Sequence, residues 1–122
     1  MIASNKPRLL DYLNHILQGI LRIQSYTDSM DETEFLTDEK TQDAVIRNFE
    51  VIGEAARNIE QRYPEYAKTH SSIPWRSVYE MRNALAHGYF KIDIEVVWRT
   101  IEIDLPIIES QIKTLISEEN DQ

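Results

Sequence analysis

The chain has 122 residues, no cysteine and a net charge of −8 at pH 7. The lack of cysteine excludes disulfides, cysteine nucleophiles and cysteine-ligated metal sites, and it fits a reducing compartment. No apolar run approaches the roughly 20 residues of a transmembrane helix, and residues 1–10 lack the apolar core of a signal peptide. We therefore expect one domain over residues 1–122, in the cytoplasm and with no membrane contact.

The negative charge is concentrated in one segment. Residues 28–43 carry seven acidic residues and one lysine, and the tail adds Glu118, Glu119 and Asp121. The rest of the chain has a net charge of +1. The acidic segment is either a solvated face or a docking face for a basic partner, and the charge balance argues against salt-driven binding of long duplexes.

Three apolar stripes repeat at steps of three and four residues, the spacing of one helix face. They are Leu9, Leu13, Ile16, Leu17, Ile20 and Ile23; Val45, Phe49, Ile52, Ala56, Ile59 and Tyr63; and Val97, Ile101, Leu105, Ile108, Ile112 and Leu115. No useful length of sequence alternates with the period of a strand. The sequence predicts an all-α fold, an antiparallel bundle of four to five helices.

The first two helices have recognisable limits. Ser4 or Asn5 is a predicted N-cap for the first helix, with Pro7 in its first turn. The acidic stretch 28–39 is expected to separate it from a second helix over about 40–62. The proline at position 64 ends that helix because the residue before a proline is pushed out of the helical region.

A third long helix is expected after a short helical turn at 65–69. Ser72 is its predicted N-cap, with Pro74 near its first turn, and Gly88 is predicted to end it. Asp93 is the predicted cap of the last helix, strengthened by a hydrophobic staple between Ile92 and Val97.

The last helix contains an internal proline. Pro106 has no N–H to donate, so it is expected to kink this helix or to leave a carbonyl unpaired.

The third long helix ends in an unusual group of polar residues. Arg82, Asn83, His87 and Tyr89 lie within eight positions. A helix C-terminus favours a protonated histidine and a nearby arginine opposes it, so His87 is suited to exchange protons near neutral pH. The arginine fork suits a phosphodiester. Together these residues would suffice for metal-free RNA cleavage, in which the 2′-hydroxyl is the nucleophile.

Structural roles for the same residues remain open. His87 could cap the helix end, Arg82 could pair with a carboxylate such as Glu54, Asn83 could satisfy backbone groups, and Tyr89 could simply pack. Elsewhere, the two tryptophans at 75 and 98 are predicted core residues, and the histidines at 15 and 70 are expected to take no part. No spacing typical of metal ligands is present, so no metal or cofactor is predicted.

Four sequence blocks carry a family resemblance. Residues 82–89 read R-N-x-x-x-H-x-Y, and the chain is similar there to the HEPN superfamily, more narrowly to its HepT-like branch, also called DUF86. Residues 42–56, 73–75 and 104–106 resemble further blocks of that branch. The resemblance covers about residues 7–117.

The resemblance implies a specific function. HepT-like proteins are metal-independent endoribonuclease toxins of type VII toxin–antitoxin systems, and they usually form homodimers with two motifs across one cleft. It implies that Arg82 and His87 are catalytic and that Asn83 accompanies them. It also implies that a minimal nucleotidyltransferase antitoxin of the MntA type transfers AMP to Tyr89 and so neutralises the toxin.

Some positions outside the motif are given roles by the same comparison. Gly53 is expected to allow close helix approach, and Arg47 and Glu54 to form a network at the edge of the core and the dimer. A second interpretation places Arg47 near the active cleft. Glu80 departs from the small residue common there, and it could pair with Arg76 or face solvent.

Two other functions fit the same residues. The chain could be a non-catalytic subunit that presents a nucleotide or substrate to a nucleotidyltransferase, because arginine and histidine also bind phosphate. It could also be a purely structural helical dimer with a capped helix end.

Overall fold

The computed structural model describes residues 8–86 and 93–121, and all regular structure in these residues is helical. The helices are α1 (Leu9–Thr27), α2 (Glu32–Leu36), α3 (Glu39–Arg62), α4 (Pro64–Thr69), α5 (Trp75–Ala86), α6 (Ile94–Arg99) and α7 (Leu105–Asn120), with a π-helical turn over Thr100–Asp104. The all-α prediction is confirmed. The extent of the domain over residues 1–122 stays a prediction.

Helix α1 begins later than its sequence indicates. Arg8 is its N-cap, and the Arg8 backbone N–H donates to the Asp11 carboxylate at 2.8 Å. The predicted caps Ser4 and Asn5 are therefore wrong, since they precede the true cap by at least three positions, and both lie outside the described residues. A carboxylate in the first turn also suits the positive end of the helix dipole.

The acidic segment contains a helix that the apolar pattern does not predict. In α2, the Glu34 backbone N–H donates to Asp31 Oδ1 at 2.8 Å, and the Asp31 backbone N–H donates to Glu34 Oε1 at 3.0 Å. This reciprocal capping box stabilises a helix only five residues long. Phe35 points from it into the core, fully buried, with its ring centre 5.2 Å from that of Trp98. The segment is therefore a solvated face on one side and a core element on the other.

The second long helix, α3, agrees with the predicted limits of about 40–62. Asp38 caps it by accepting from the Thr41 backbone N–H at 3.0 Å and from its hydroxyl at 2.8 Å. These hydrogen bonds lower the pKa of the Asp38 carboxyl. The predicted helical turn at 65–69 is also confirmed, as α4.

The start of α5 differs from the prediction. The helix begins at Trp75, so Ser72 does not occupy the position before it, and the Pro74 carbonyl accepts from the Val78 backbone N–H at 3.0 Å. The Ser72 carbonyl instead accepts from the Gln111 side chain at 3.3 Å. The predicted terminator Gly88 lies outside the described residues.

The last long helix is interrupted where Pro106 predicts a disturbance. Asp93 caps α6 as predicted, since its Oδ1 accepts from the backbone N–H groups of Glu95 and Val96 at 3.1 and 3.4 Å. Just before Pro106, the Leu105 N–H donates to the Thr100 carbonyl, five residues earlier. This wider π turn continues the helical path where the proline cannot donate its own hydrogen bond.

Helix α3 organises the packing, because its most extensive contacts are with α1 on one side and α5 on the other. Helix α7 packs on α1. At the crossing of α1 and α3, a Cβ on Gly19 would lie only 2.7 Å from Ile52 Cγ1. The glycine therefore sets how closely these two helices approach.

Candidate functional site

The contact between α3 and α5 positions the helix that carries the sequence motif. Arg76 Nη2 lies 3.8 Å from Glu60 Oε1. One turn further along α5, the Tyr79 ring centre lies 5.3 Å from the Arg57 guanidinium carbon. Because α5 advances from 76 to 79 while α3 goes back from 60 to 57, the two helices run antiparallel.

The same register places the start of the motif. Three residues beyond Tyr79 comes Arg82, and the register of the two contacts, continued by three residues on each helix, places its backbone level with Glu54. The side chains of Arg82 and Asn83 lie outside the described residues, as do His87 and Tyr89 entirely. Their predicted site roles therefore remain predictions, placed at the C-terminal end of α5.

We use the name α3/α5 seam for Glu54, Arg57 and Glu60 of α3 with Arg76 and Tyr79 of α5. Arg57 Nη1 lies 4.0 Å from Glu54 Oε1, and its side chain is 41% exposed. A cation over an aromatic face is attracted by the ring quadrupole. The seam therefore holds a partly exposed guanidinium one helical turn from the level of Arg82.

Sequence reasoning did not single out Arg57. Two matching three-residue spacings, one on each helix, could have pointed to it. Arg57 lies three residues after Glu54, and Tyr79 lies three residues before Arg82. Only the antiparallel register of α3 and α5 brings these two spacings together.

Between α1 and α3, a polar cleft of about 280 Å³ opens beside the α3/α5 seam, since Glu54 lines the cleft and pairs with Arg57. His15, Arg47, Glu50 and Asn58 are among its lining residues. The Arg47 side chain is 74% exposed and lies 3.9 Å from Glu50, its neighbour one turn along α3. Arg47 is therefore not buried within the single chain, and its predicted network at a dimer edge stays a prediction.

The remaining sequence predictions near α5 have clear outcomes. Trp75 and Trp98 are buried, as predicted. Glu80 is exposed and Arg76 pairs with Glu60, so the solvent-facing alternative for Glu80 is confirmed. Gly53 is buried, but its predicted role in close helix approach stays a prediction.

The histidine at position 70 has a structural environment. His70 is the C-cap of α4, and its ring centre lies 4.3 Å from that of Tyr66. Burial, together with the nearby carboxylates Glu119 and Glu118, raises the pKa of Tyr66 to about 12. The His70 carbonyl accepts from Trp75 Nε1 at 3.2 Å. These contacts tie α4 to the start of α5.

The face of α5 turned toward α7 is less covered than the face on α3. A groove of about 490 Å³ separates the two helices, lined by Val78 and Met81 of α5 and by Ile107 and Ile108 of α7. Ile107 is exposed. Among the described residues, the extensive contacts of α5 are those with α3.

Within the described part of the chain, no helix is both long enough and apolar enough to cross a membrane. In the same residues, no three histidine or carboxylate side chains converge as metal ligands would.

The described residues form an all-helical domain, and the sequence motif begins in the last turns of its helix α5. The family model described as "Ribonuclease HepT-like" matches residues 16–115. The chain therefore belongs to the HepT-like ribonuclease family, which confirms the resemblance.

Individual relatives agree with this assignment. The chain is 40% identical over 105 residues to "Probable ribonuclease HepT" of Thermococcus cleftensis, covering 86% of this chain and 93% of that protein. It is 32% identical over 108 residues to a protein named "Putative RNase" of Caldanaerobacter subterraneus subsp. tengcongensis. This match covers 88% of this chain and 94% of that protein.

A third relative is longer than this chain. It is named "Gamma-glutamylcyclotransferase and putative RNase", from Methanocaldococcus jannaschii, and is 38% identical over 107 residues. The match covers 88% of this chain but 47% of that protein. No solved structure matches the chain.

Proposed function

We propose that this protein is a metal-independent endoribonuclease and the toxin of a type VII toxin–antitoxin pair. The observation that carries the proposal is the family match over residues 16–115, which includes the R-N-x-x-x-H-x-Y motif at the end of α5. The names of the relatives support an RNA substrate. In this proposal Arg82 and His87 are catalytic, and Asn83 accompanies them.

The chemistry needs only proton transfer and charge stabilisation. The 2′-hydroxyl of RNA attacks the adjacent phosphorus, and the bond from phosphorus to the 5′-oxygen breaks. His87 takes the proton from the 2′-hydroxyl or delivers one to the departing 5′-oxygen. Arg82 neutralises the charge that develops on the phosphorane oxygens. The products are a 2′,3′-cyclic phosphate and a 5′-hydroxyl.

A homodimer would complete this site. Two copies of the motif across one cleft would bring two Arg82 and two His87 together, a local positive site within an acidic protein. The groove between α5 and α7 in the described residues supports this arrangement, since it leaves Val78 and Met81 of the motif helix partly uncovered.

Neutralisation is proposed to occur at Tyr89. An MntA-like nucleotidyltransferase would transfer AMP from ATP to the tyrosine oxygen, with pyrophosphate as the leaving group. The added phosphate carries negative charge that would pair with Arg82 and exclude RNA. Mass spectrometry after incubation with the partner and ATP should show one adenylate on Tyr89, and none on Tyr89→Phe.

The decisive experiment incubates the purified chain with total cellular RNA in EDTA. We expect cleavage by the wild type and none by His87→Ala. His15→Ala, which removes an exposed histidine of α1, is the matched control and should cleave normally. If the unmodified wild type leaves RNA intact, the ribonuclease proposal fails, and the non-catalytic subunit becomes the better interpretation.

A further inference from the structure

We propose that Arg57 binds a phosphate of the RNA substrate next to the one that is cleaved. The inference rests on the proposed ribonuclease function and adds a positioning residue on α3 to the motif on α5. The ligand is the sugar-phosphate backbone of single-stranded RNA, recognised by charge and not by base sequence.

Distance along the helices supports this role. Arg57 lies beside Tyr79, and the backbone of Arg82 is three residues further along α5. Three residues of α-helix rise about 4.5 Å. A backbone that enters the motif along the α3/α5 seam therefore passes Arg57 within about one helical turn of Arg82.

The guanidinium of Arg57 is held in place but remains available to a ligand. Tyr79 supports it at 5.3 Å, which limits the entropy lost when a phosphate binds. Its ion pair with Glu54, at 4.0 Å, is longer than a hydrogen bond. Across residues 8–86 and 93–121, no described hydrogen bond uses the Arg57 guanidinium. A phosphate can therefore take its donor fork.

The seam continues away from the motif in the same manner. Arg76 is 75% exposed and lies 3.8 Å from Glu60. Partly exposed pairs of this length contribute little, so a phosphate can compete with either carboxylate. Arg76 lies one further turn from Arg82, and we expect its loss to weaken RNA binding less than the loss of Arg57.

The test measures binding of a labelled single-stranded RNA of about 12 nucleotides. Each 2′-hydroxyl carries a methyl group, so the probe cannot be cleaved through that oxygen. Fluorescence anisotropy in EDTA gives Kd between about 50 and 200 mM salt. The variants are Arg57→Ala, Arg57→Lys and Arg62→Ala. Arg62, on the last turn of α3, is the matched control on the same helix.

We expect Arg57→Ala to raise Kd about tenfold and to flatten the slope of log Kd against log salt by about 0.7, the contribution of one phosphate contact. Arg57→Lys should keep the slope and raise Kd about threefold, because it keeps the charge and loses the fork. Arg62→Ala should stay within about twofold of the wild type in Kd. A residue that only packs on Tyr79 would change the melting temperature without changing the salt slope.

Failures of the two proposals are distinguishable. If the wild type cleaves total RNA, but Arg57→Ala binds the probe as tightly as Arg62→Ala, Arg57 has no role and the ribonuclease proposal stands. If Arg57→Ala does not fold, an unchanged Kd for Arg57→Lys overturns the inference. If the wild type neither cleaves RNA nor binds the probe, both proposals are wrong.

Discussion

Helix α3 packs against α1 and α5 through different kinds of residues. Toward α1, Gly19 lets Ile52 approach closely, and the contact is mainly apolar. Toward α5, the edge of the contact is a row of charged and aromatic groups, with Arg57 between Glu54 and Tyr79. One helix thus connects a close-packed side to a side with partly exposed charges.

The two sides of α3 are therefore expected to contribute differently to stability and to activity. Close apolar packing stabilises the fold and tolerates little change in volume. Ion pairs at about 4 Å between partly exposed side chains contribute little to stability and can exchange partners. We therefore expect substitutions near α5 to alter activity more than stability, and substitutions near α1 to do the reverse.

The largest expected effect on activity is on the α5 side. Arg82→Ala should lower the rate of RNA cleavage about 10²–10³-fold, because a donor to the developing phosphorane charge is lost. That loss corresponds to about 2.7–4 kcal/mol of transition-state stabilisation. Cleavage rates and urea unfolding, measured on the same preparation, check the prediction. A loss of unfolding free energy as large as the loss of activity would instead indicate a structural arginine.

The largest expected effect on stability is at Phe35, the buried residue of the acidic segment. Phe35→Ala should lower the free energy of unfolding by about 3–5 kcal/mol, because a fully buried aromatic ring against Trp98 is removed. Urea denaturation measures the change. Leu21→Ala, at an exposed position of α1, is the control and should change stability by about 0.5 kcal/mol or less. Equal effects at both positions would contradict the role of α2 as a core element.

The fold was predictable from the sequence wherever an apolar stripe was long. The stripes of α1 and α3 and the cap at Asp93 appear as predicted, because periodic burial and capping are local patterns. Helix α2 was missed because its five residues bury only Phe35, too few for a periodic signal. The presence of Pro106 indicated that the last helix is disturbed. That the disturbance is a π turn could not be predicted, because it depends on how the helix packs after the proline.

The site was predictable to a different extent. The spacing of Arg82 and His87 could be read directly, and their part in catalysis came only from the family resemblance. Arg57 could not be found, since it approaches Tyr79 only through the packing of α3 on α5. Gly19 was missed for the same reason, although an added Cβ there would lie within 3 Å of Ile52 on the neighbouring helix.

A medium effect is expected on the α1 side. Gly19→Val should cost about 1–3 kcal/mol, because its Cβ would lie 2.7 Å from Ile52 Cγ1, close to the backbone of a β-branched residue. Thermal unfolding measures the loss. The double variant with Ile52→Ala should lose less stability than the sum of the two single variants, since the atom opposing the new Cβ is gone. Strictly additive losses would show that the two positions do not interact.

The smallest expected effect tests a polar contact on this same side, between α1 and α7. Glu109 accepts from Lys113 Nζ at 2.7 Å and from Gln24 Nε2 at 2.9 Å, and these two hydrogen bonds hold the pKa of its carboxyl below the usual 4.5. The unfolded chain then binds the proton more readily than the folded one. The contribution to stability is complete above about pH 4.5 and is lost as the pH falls through the lower, folded-state pKa.

Glu109→Gln should therefore lower the free energy of unfolding at pH 7 by about 1 kcal/mol or less, and the difference from the wild type should shrink below about pH 4.5. Glu102→Gln, which removes an exposed carboxylate of the π turn, is the control for net charge. Urea unfolding at pH 7 and near pH 3 measures both variants. A difference that stays constant with pH would mean that the charge of Glu109 does not contribute, and that Gln24 and Lys113 stabilise α7 through packing.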